Sequence, residues 1–516
     1  MFGEDDLVKA HKQRADVIGN IILTCFSLLL ARLWFLQIYK GEEFYKYSLE
    51  NRLRKEVLEA SRGLMFSRDN EILVYNVPRF DVIVTPQYLK NKVETIEKLS
   101  DILDMPVASI EAILKKNRSQ ASYRPVTIKK NISRQEVAII ETENAKIPGI
   151  SVTTVISREY TDGSTGAHLL GYISEISQQQ LPQLKKRDNF DYRLGDTIGQ
   201  SGLEEKLDLE LRGEDGYEFM EVDARGRKRR VINSELFTGI EMKSAQAGNN
   251  VRLTIDRDVQ MAAVKGLEGK VGAAVAISTE TGEILAMVST PAFHPSLFSL
   301  GLTRDFWNSL VTDPDKPLLD RAIQSHYSPG STFKTITLIA ALESGVIDEN
   351  FEVNCNGKFP MGSRPFHCWK KHGHGRVGVH KSIVESCDVF FYKIATKLDI
   401  DVLAKYSKLL GFGSKSEIFL PREISGLIPS KEWKKKRFGS EWHMGETLSC
   451  VIGQSYVNVT PLQLAMSYAA IANGGHLFRP YVYKEVFSND GQIKKKTNPE
   501  LIRETGISQK TLDIVR

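Results

Sequence analysis

The sequence predicts a mixed α/β (α+β) protein, built as two or three domains behind one apolar N-terminal helix. Three observations carry this. The chain has 516 residues, enough for several separate cores. Helix-like and strand-like periodicities alternate along it without an internal repeat. Val271 to Ile277 and Ile284 to Val288, joined by the turn Thr279-Glu280-Thr281-Gly282, are apolar on both faces, as in an antiparallel hairpin covered on both sides by helices.

Taken in order, Val17 to Ile38 is mostly apolar and, at about 1.5 Å per helical residue, long enough to cross a bilayer. Asn20 and Arg32 fall toward its ends, where an arginine can reach the headgroups and Trp34 can sit at the interface. Bulky Leu33, Trp34, Phe35 and Leu36 stand where a cleavage site needs small residues, so the segment reads as an uncleaved anchor rather than a removed leader or a core helix. Charge alone does not orient it. Lys9, Lys12 and Arg14 precede it, and Lys40, Lys46, Arg52, Arg54 and Lys55 follow. Residues 1–16 are read as a cytoplasmic tail and 17–38 as the anchor, with the bulk of the chain outside.

Beyond the anchor, Val82 and Val84 indicate strands, and Val93, Ile96, Leu99, Ile102 and Leu103 an amphipathic helix. Glycines and charges from Gly195 to Gly226 predict tight turns around a short helix. A second unit begins near Asn250, where Val251 to Ile255 alternates like a strand before helical spacing at Val259, Ala262, Ala263 and Leu267. The division expected is 39–245 and 246–516.

Composition excludes little beyond nucleic acid. The 69 basic and 64 acidic residues leave a net charge of +5, too mild for a polyanion-binding protein, and Lys434-Lys435-Lys436 and Lys494-Lys495-Lys496 read as solvated faces.

The chemistry is concentrated at Tyr327-Ser328-Pro329-Gly330-Ser331-Thr332-Phe333-Lys334. Pro329 and Gly330 break what precedes, and Ile336, Leu338, Ile339 and Leu342 predict a buried helix starting near Ser331. On it Ser331 and Lys334 share a face, so a neutral Lys334 could take the Ser331 proton while the helix N-terminus favours a nearby oxyanion. Ser-x-x-Lys alone arises by chance in most chains of this length. An acyl-accepting serine also needs a proton relay, and Ser386-Cys387-Asp388, 55 residues on, supplies one before Phe390-Phe391-Tyr392.

With these two elements the chain resembles the penicillin-binding proteins, serine D,D-transpeptidases that share Ser-x-x-Lys and Ser-x-Asn motifs. Asp388 in place of Asn is similar to the elongation-type class B members, penicillin-binding protein 2. Arg62-Gly63, Arg68-Asp69-Asn70, Gly166 to Tyr172, Gly199 to Glu205 and Leu211-Arg212-Gly213 resemble that class's pedestal motifs. Gly272 to Pro291, Ile452-Gly453-Gln454-Ser455 and Thr460 to Ala465 resemble its transpeptidase domain, with Ser455 where Gly is commoner.

The resemblance implies an elongated pedestal or dimerisation domain at 39–245 and a β-lactamase-like transpeptidase domain at 246–516, with helices on an antiparallel sheet. It implies a single-pass protein of the bacterial inner membrane, mostly periplasmic, that cross-links peptidoglycan stem peptides during elongation and is trapped by β-lactams. Ser331 is the expected nucleophile, Lys334 the proton acceptor, Ser386 the relay and Asp388 its orienting partner. A polytopic membrane glycosyltransferase is the expected protein partner.

The family's third element, Lys-Thr/Ser-Gly, does not occur here. Lys496-Thr497-Asn498 and Lys510-Thr511-Leu512 are the nearest strings. The family places the motif beyond the segment that ends at Arg516, so the expectation is a chain whose transpeptidase domain lacks its C-terminal part. Were 516 the natural end, a non-catalytic scaffold acting on the glycosyltransferase would be the alternative.

Cys355, Cys368 and Cys387 fall within 33 residues, interleaved with His367, His372, His374 and His380. Three thiolates and an imidazole make a closed tetrahedral set for structural zinc, with Cys355, Cys368, His374 and Cys387 as ligands. A disulfide or unrelated buried thiols are the competing readings, although three cysteines cannot pair off completely. The resemblance adds to the zinc reading, since elongation-type members include proteins with a metal in this region. The role would be structural, because holding Cys387 holds Ser386 and Asp388 beside it.

Overall fold

The computed structural model describes residues 4–41, 53–89, 91–118, 121–143, 147–187, 192–193, 195–222, 228–231, 242–362 and 364–516. Lys46, Arg52 and Gly226, invoked above, lie outside these. The chain forms two compact units, residues 1–60 with 214–246, and residues 61–213 with 247–516.

In the first unit, the helix Glu4–Trp34 continues as a wider π-turn over Phe35–Tyr39. Its stretch Ala15–Tyr39 has a mean hydropathy of 2.0 and none of it is buried. Leu23, Leu28 and Ile38 are each more than 60% exposed, so this apolar surface meets no protein partner among the described residues. The helix is long and apolar enough to cross a membrane. The same unit holds an antiparallel sheet of Leu53–Leu58, Gly216–Val222 and Lys228–Val231, its first pair running from Leu53 opposite Glu221 to Leu58 opposite Gly216.

The second unit is built on a seven-stranded sheet. Its order is Ile493–Lys496, Tyr483–Phe487, Asn250–Leu253, Met65–Phe66, Ile72–Val84 and Val126–Lys129, with Ile150–Tyr160 also paired to Ile72–Val84. Asn250–Leu253 runs parallel to Met65–Phe66 and antiparallel to Tyr483–Phe487, so one sheet takes strands from distant parts of the chain. The Arg62-Gly63 motif serves this junction. A Cβ on Gly63 would lie 1.8 Å from the carbonyl oxygen of Asn249, so the close approach excludes any side chain.

Arg62 points into a buried ionic cluster. Its Nε is 2.6 Å from Oε2 of Glu204, while Nε of Arg158 is 2.8 Å from Oε1 of the same carboxylate. Burial alone would push the Glu204 carboxyl up, but the Arg158 and Arg62 guanidiniums outweigh it and hold it below its usual range. In a separate apolar cluster with Val82 and Val84, the helix Lys92–Leu103 buries Thr95, Ile96, Leu99 and Leu103. Val93, expected on the same face, is instead 70% exposed in the first turn.

The predicted hairpin forms between Gly272–Ile277 and Ile284–Thr290. Helix Arg257–Gly266 packs on the second strand and helix Pro461–Ala472 on the first, which leaves Ile284, Ala286, Met287 and Val288 all buried. That cover explains the missing polar alternation. The Thr460-Pro461-Leu462-Gln463 motif is a helix start. Thr460 accepts from the Gln463 amide, the Gln463 side chain accepts from the Thr460 amide, and Pro461 opens the first turn. The helix Lys334–Glu343 is buried from Lys334 through Ala341, and Ile336, Leu338 and Ile339 each contribute roughly 1.5–3 kcal/mol by burial.

Candidate active site

Ser331 does not open an α-helix, as the sequence had indicated. Gly330–Phe333 is a 3-10 turn, and the α-helix begins at Lys334. Residues three apart eclipse in such a turn, so Ser331 and Lys334 still share a face. Phe333 anchors the turn from below, fully buried and edge-on to Phe412 at 5.9 Å. From above, the Gly330 amide donates to the Gly453 carbonyl at 2.9 Å, and Tyr327 pairs through both backbone groups with Val459. Gly453 stands at φ +70°, where a Cβ would lie 2.4 Å from the Gly330 carbonyl oxygen, which accounts for the glycine of Ile452-Gly453-Gln454. The Tyr468 hydroxyl donates to the Thr332 carbonyl at 2.8 Å, a clamp that the sequence did not signal.

The four expected residues converge. Ser331 is exposed at the surface while Lys334 is 2% exposed behind it. The three donors of Lys334 Nζ meet three acceptors: the Ser386 carbonyl at 2.9 Å, Ser386 Oγ at 2.9 Å and Asp388 Oδ1 at 2.6 Å. Ser386 Oγ in turn donates to Ser331 Oγ at 2.9 Å. Among the described hydrogen bonds none joins Ser331 to Lys334 directly. The relay hydroxyl stands between them.

Ser386 reaches this place through a left-handed backbone, φ 51°, between the helices Val379–Val384 and Asp388–Ala395. A non-glycine residue there costs on the order of 1 kcal/mol or more, a cost that over-determined sites tolerate. Its carbonyl is held by the Trp369 indole at 3.1 Å, and the Trp369 amide donates to Asp388 Oδ2 at 3.0 Å. No sequence motif signals Trp369, because its contacts to Ser386 and Asp388 lie 17 and 19 residues away and one of them uses its backbone amide.

Trp369 follows Cys368, which belongs to the second cluster. The donor atoms of Cys355, Cys368, His374 and Cys387 lie within 4.8 Å of one another, and all four residues are buried. Cys355 closes the strand Glu352–Cys355, Cys368 follows the strand Arg364–His367, and Cys387 caps the helix Asp388–Ala395. The Nδ1 of His374 is 3.6 Å from Cys355 Sγ and 3.5 Å from Cys368 Sγ. A tetrahedral zinc with bonds of about 2.3 Å to sulfur and about 2.0–2.1 Å to nitrogen needs an edge of about 3.5 Å, so the donor set fits that ion. His374 Nε2 is buried without a hydrogen-bond partner and faces Glu385 at 3.9 Å. His367, His372 and His380 are exposed and outside the cluster. None of the five cysteines is paired, and burial pushes the Cys387 thiol up to about 12.

The nearest strings to the third family element have other places. Lys496 ends the outermost strand of the seven-stranded sheet, and Lys510, Thr511 and Leu512 lie on the C-terminal helix Gln509–Val515.

Comparison with known proteins agrees with this architecture. Residues 57–253 match the family model of the penicillin-binding protein dimerisation domain, and residues 272–516 that of the penicillin-binding protein transpeptidase domain. The chain therefore belongs to the penicillin-binding protein family. It is 35% identical over 478 residues to the peptidoglycan D,D-transpeptidase MrdA of Acinetobacter baumannii, covering 92% of this chain and 70% of that one. Identity to MrdA of Escherichia coli is 32% over 479 residues, covering 92% and 74%. Among solved structures, a complex between penicillin-binding protein PBP2 and MreC from Helicobacter pylori superimposes with a TM-score of 0.75 at 28% identity, over 90% of this chain and 83% of that one. A structure describing structural coordination of polymerization and crosslinking by a peptidoglycan synthase complex gives a TM-score of 0.68 at 28% identity, over 97% and 84%.

Proposed function

We propose that this chain is a serine-type D,D-transpeptidase that cross-links peptidoglycan stem peptides through an acyl-enzyme on Ser331 during cell elongation. The observation that carries the reading is the continuous contact path from Ser331 Oγ through Ser386 Oγ to Lys334 Nζ, closed by Asp388.

In this reading Ser331 Oγ attacks the carbonyl carbon between the two terminal D-alanines. Its proton passes by way of the Ser386 hydroxyl, whose hydrogen can rotate between the two partners, to Lys334 after the amine has given up one of its three protons. The carbon–nitrogen bond then breaks, and Ser386 returns a proton to the leaving D-alanine amine. An amine of a neighbouring stem peptide attacks the acyl-enzyme, forming the cross-link and restoring Ser331. β-Lactams acylate the same oxygen.

Cys355, Cys368, His374 and Cys387 would hold a structural zinc, which when bound would keep the thiols ionised and draw the strands and the helix start together. The helix Ala15–Tyr39 would anchor the chain once in the bacterial inner membrane, with the transpeptidase on the periplasmic side where its substrate lies. A polytopic glycosyltransferase is the partner proposed, supported by the likeness to the peptidoglycan synthase complex.

The test is covalent labelling of the membrane-extracted protein by a fluorescent penicillin, with mass analysis of the labelled peptide. The adduct is expected on Ser331 and absent from Ser331→Ala. Labelling that survives this substitution would refute the assignment.

A further inference from the structure

Outside the candidate active site, a cavity of about 260 Å³ opens beside the turn that carries Ser201. Phe293, Leu318, Ile323 and Leu420 give it apolar walls, and Asp320 lines it as well. Asp320 is 4% exposed, and its carboxylate accepts only the Ala322 amide, at 3.0 Å, with no cation paired to it among the described residues.

A carboxylate withdrawn from water without a counter-charge is one of the least favourable arrangements a fold can hold. Here it faces open space rather than packed atoms. We propose that this cavity is a binding site for a small molecule bearing a primary ammonium on a short apolar body, the ammonium pairing with Asp320. An ammonium supplies the missing charge and N–H donors for the carboxylate. A neutral alcohol lacks that charge, and an anion would meet the like charge of Asp320. The volume lies below the roughly 300–1,000 Å³ of drug-sized pockets, which restricts the ligand to a few carbons.

The surrounding ionisable groups leave Asp320 as the one that titrates near neutrality. Burial pushes His168 down to about 4 while its Nε2 bonds the Pro317 carbonyl. Burial raises the Tyr172 phenol, and Arg422 is engaged with the Gln200 carbonyl and Glu205. Arg321 is turned to the backbone carbonyls of Lys316 and Leu319. Burial raises the Asp320 carboxyl to about 7, so protons compete with an ammonium below that pH.

The test titrates the detergent-solubilised full chain with n-butylammonium chloride, with n-butanol and sodium chloride as controls, following the thermal unfolding midpoint. A saturable rise is expected at pH 8 with butylammonium alone. Its apparent affinity should fall about tenfold at pH 6, as the ionised fraction of a group titrating near 7 falls. Asp320→Asn, which keeps the acceptor for Ala322, should abolish the response. An equal rise with butanol, a response at pH 6 as strong as at pH 8, or an Asp320→Asn chain that responds like the parent would each overturn the proposal. The pH comparison uses the unaltered chain and decides the matter whether or not the variants fold.

Discussion

Lys334 Nζ and Asp388 Oδ1 lie 2.6 Å apart, with the lysine almost wholly buried and the aspartate 14% exposed. Removing one partner of such a pair leaves a buried charge uncompensated. Asp388→Ala is therefore expected to lower stability by about 3 kcal/mol, and Asp388→Asn by less, since the amide oxygen still accepts. Penicillin acylation should slow by about 10²-fold or more in Asp388→Ala, where Lys334 loses the contact that aims it at Ser386, and by less in Asp388→Asn, where the amide oxygen keeps that contact. Denaturant melts and stopped-flow acylation measure the two effects. An Asp388→Ala chain as stable and as fast as its parent would show the pair to be idle.

Ser386 offers a separation of stability from activity. At φ 51° a glycine is relieved of strain, which offsets the buried Lys334 donor left without its Ser386 Oγ acceptor, so Ser386→Gly should change stability by no more than about 1–2 kcal/mol. The same change removes the hydroxyl that stands between Ser331 and Lys334, and acylation should fall by about 10²–10⁴-fold. A small change in melting temperature together with a collapse of labelling is the expected signature. Labelling at the parental rate would return the proton path to a direct contact between Ser331 and Lys334.

The thiol cluster predicts one metal ion per chain by elemental analysis of the purified protein. Cys387→Ser should lower that content and the thermal midpoint together, since it removes one of the four donors that would tie the start of the Asp388 helix to Cys355, Cys368 and His374. Acylation should fall as well, because Cys368 adjoins Trp369, whose amide holds Asp388. A metal-free protein that is fully acylated by penicillin would dismiss a structural role for the ion.

Glu204 accepts from Arg62 and Arg158 at once, with no solvent exposure. Glu204→Ala leaves Arg158 buried without a carboxylate and Arg62 with Asp208 alone, and should cost roughly 3–5 kcal/mol, enough to unfold much of the protein at 37 °C. Arg62→Met combined with Glu204→Met should cost less than the sum of the two single changes, although Arg158 still loses its carboxylate in the double variant. A double variant equal to the sum of the two would mean that Arg62 and Glu204 are not a coupled unit.

What the sequence discloses follows from how local each feature is. The membrane-length helix, the hairpin and the buried helix after Ser331 each announce themselves by periodicity within one segment. The Ser331, Lys334, Ser386 and Asp388 set was legible because two short motifs carry it, and the thiol cluster because cysteines are few. The shared sheet was not. Asn250–Leu253 finds its neighbours at Met65–Phe66 and Tyr483–Phe487, more than 180 residues away on either side, and nothing in four residues encodes that. The place of Ser386 between Ser331 and Lys334 was also hidden, since it depends on a left-handed backbone that a serine does not advertise. Asp320 lay in a run with no motif, and only its burial makes it conspicuous.

Asp320 also ties stability to pH in a direction opposite to most carboxylates. Burial raises its carboxyl from 3.8 to about 7, so between those values the folded chain holds a proton that the unfolded chain has released. Unfolding then releases protons, and stability falls as pH rises through this window. The contribution is fully present below about 4 and gone above about 7, with an upper limit of roughly 4 kcal/mol at 1.36 kcal/mol per pH unit. Asp320→Asn carries no such charge. Its stability relative to the parent should increase from pH 4 to pH 7 and stay level above, as read from urea midpoints at unit intervals of pH. A difference between the two chains that is constant across the range would mean that the Asp320 carboxyl titrates as it does in water, and that the cavity beside it is wetter than its walls imply.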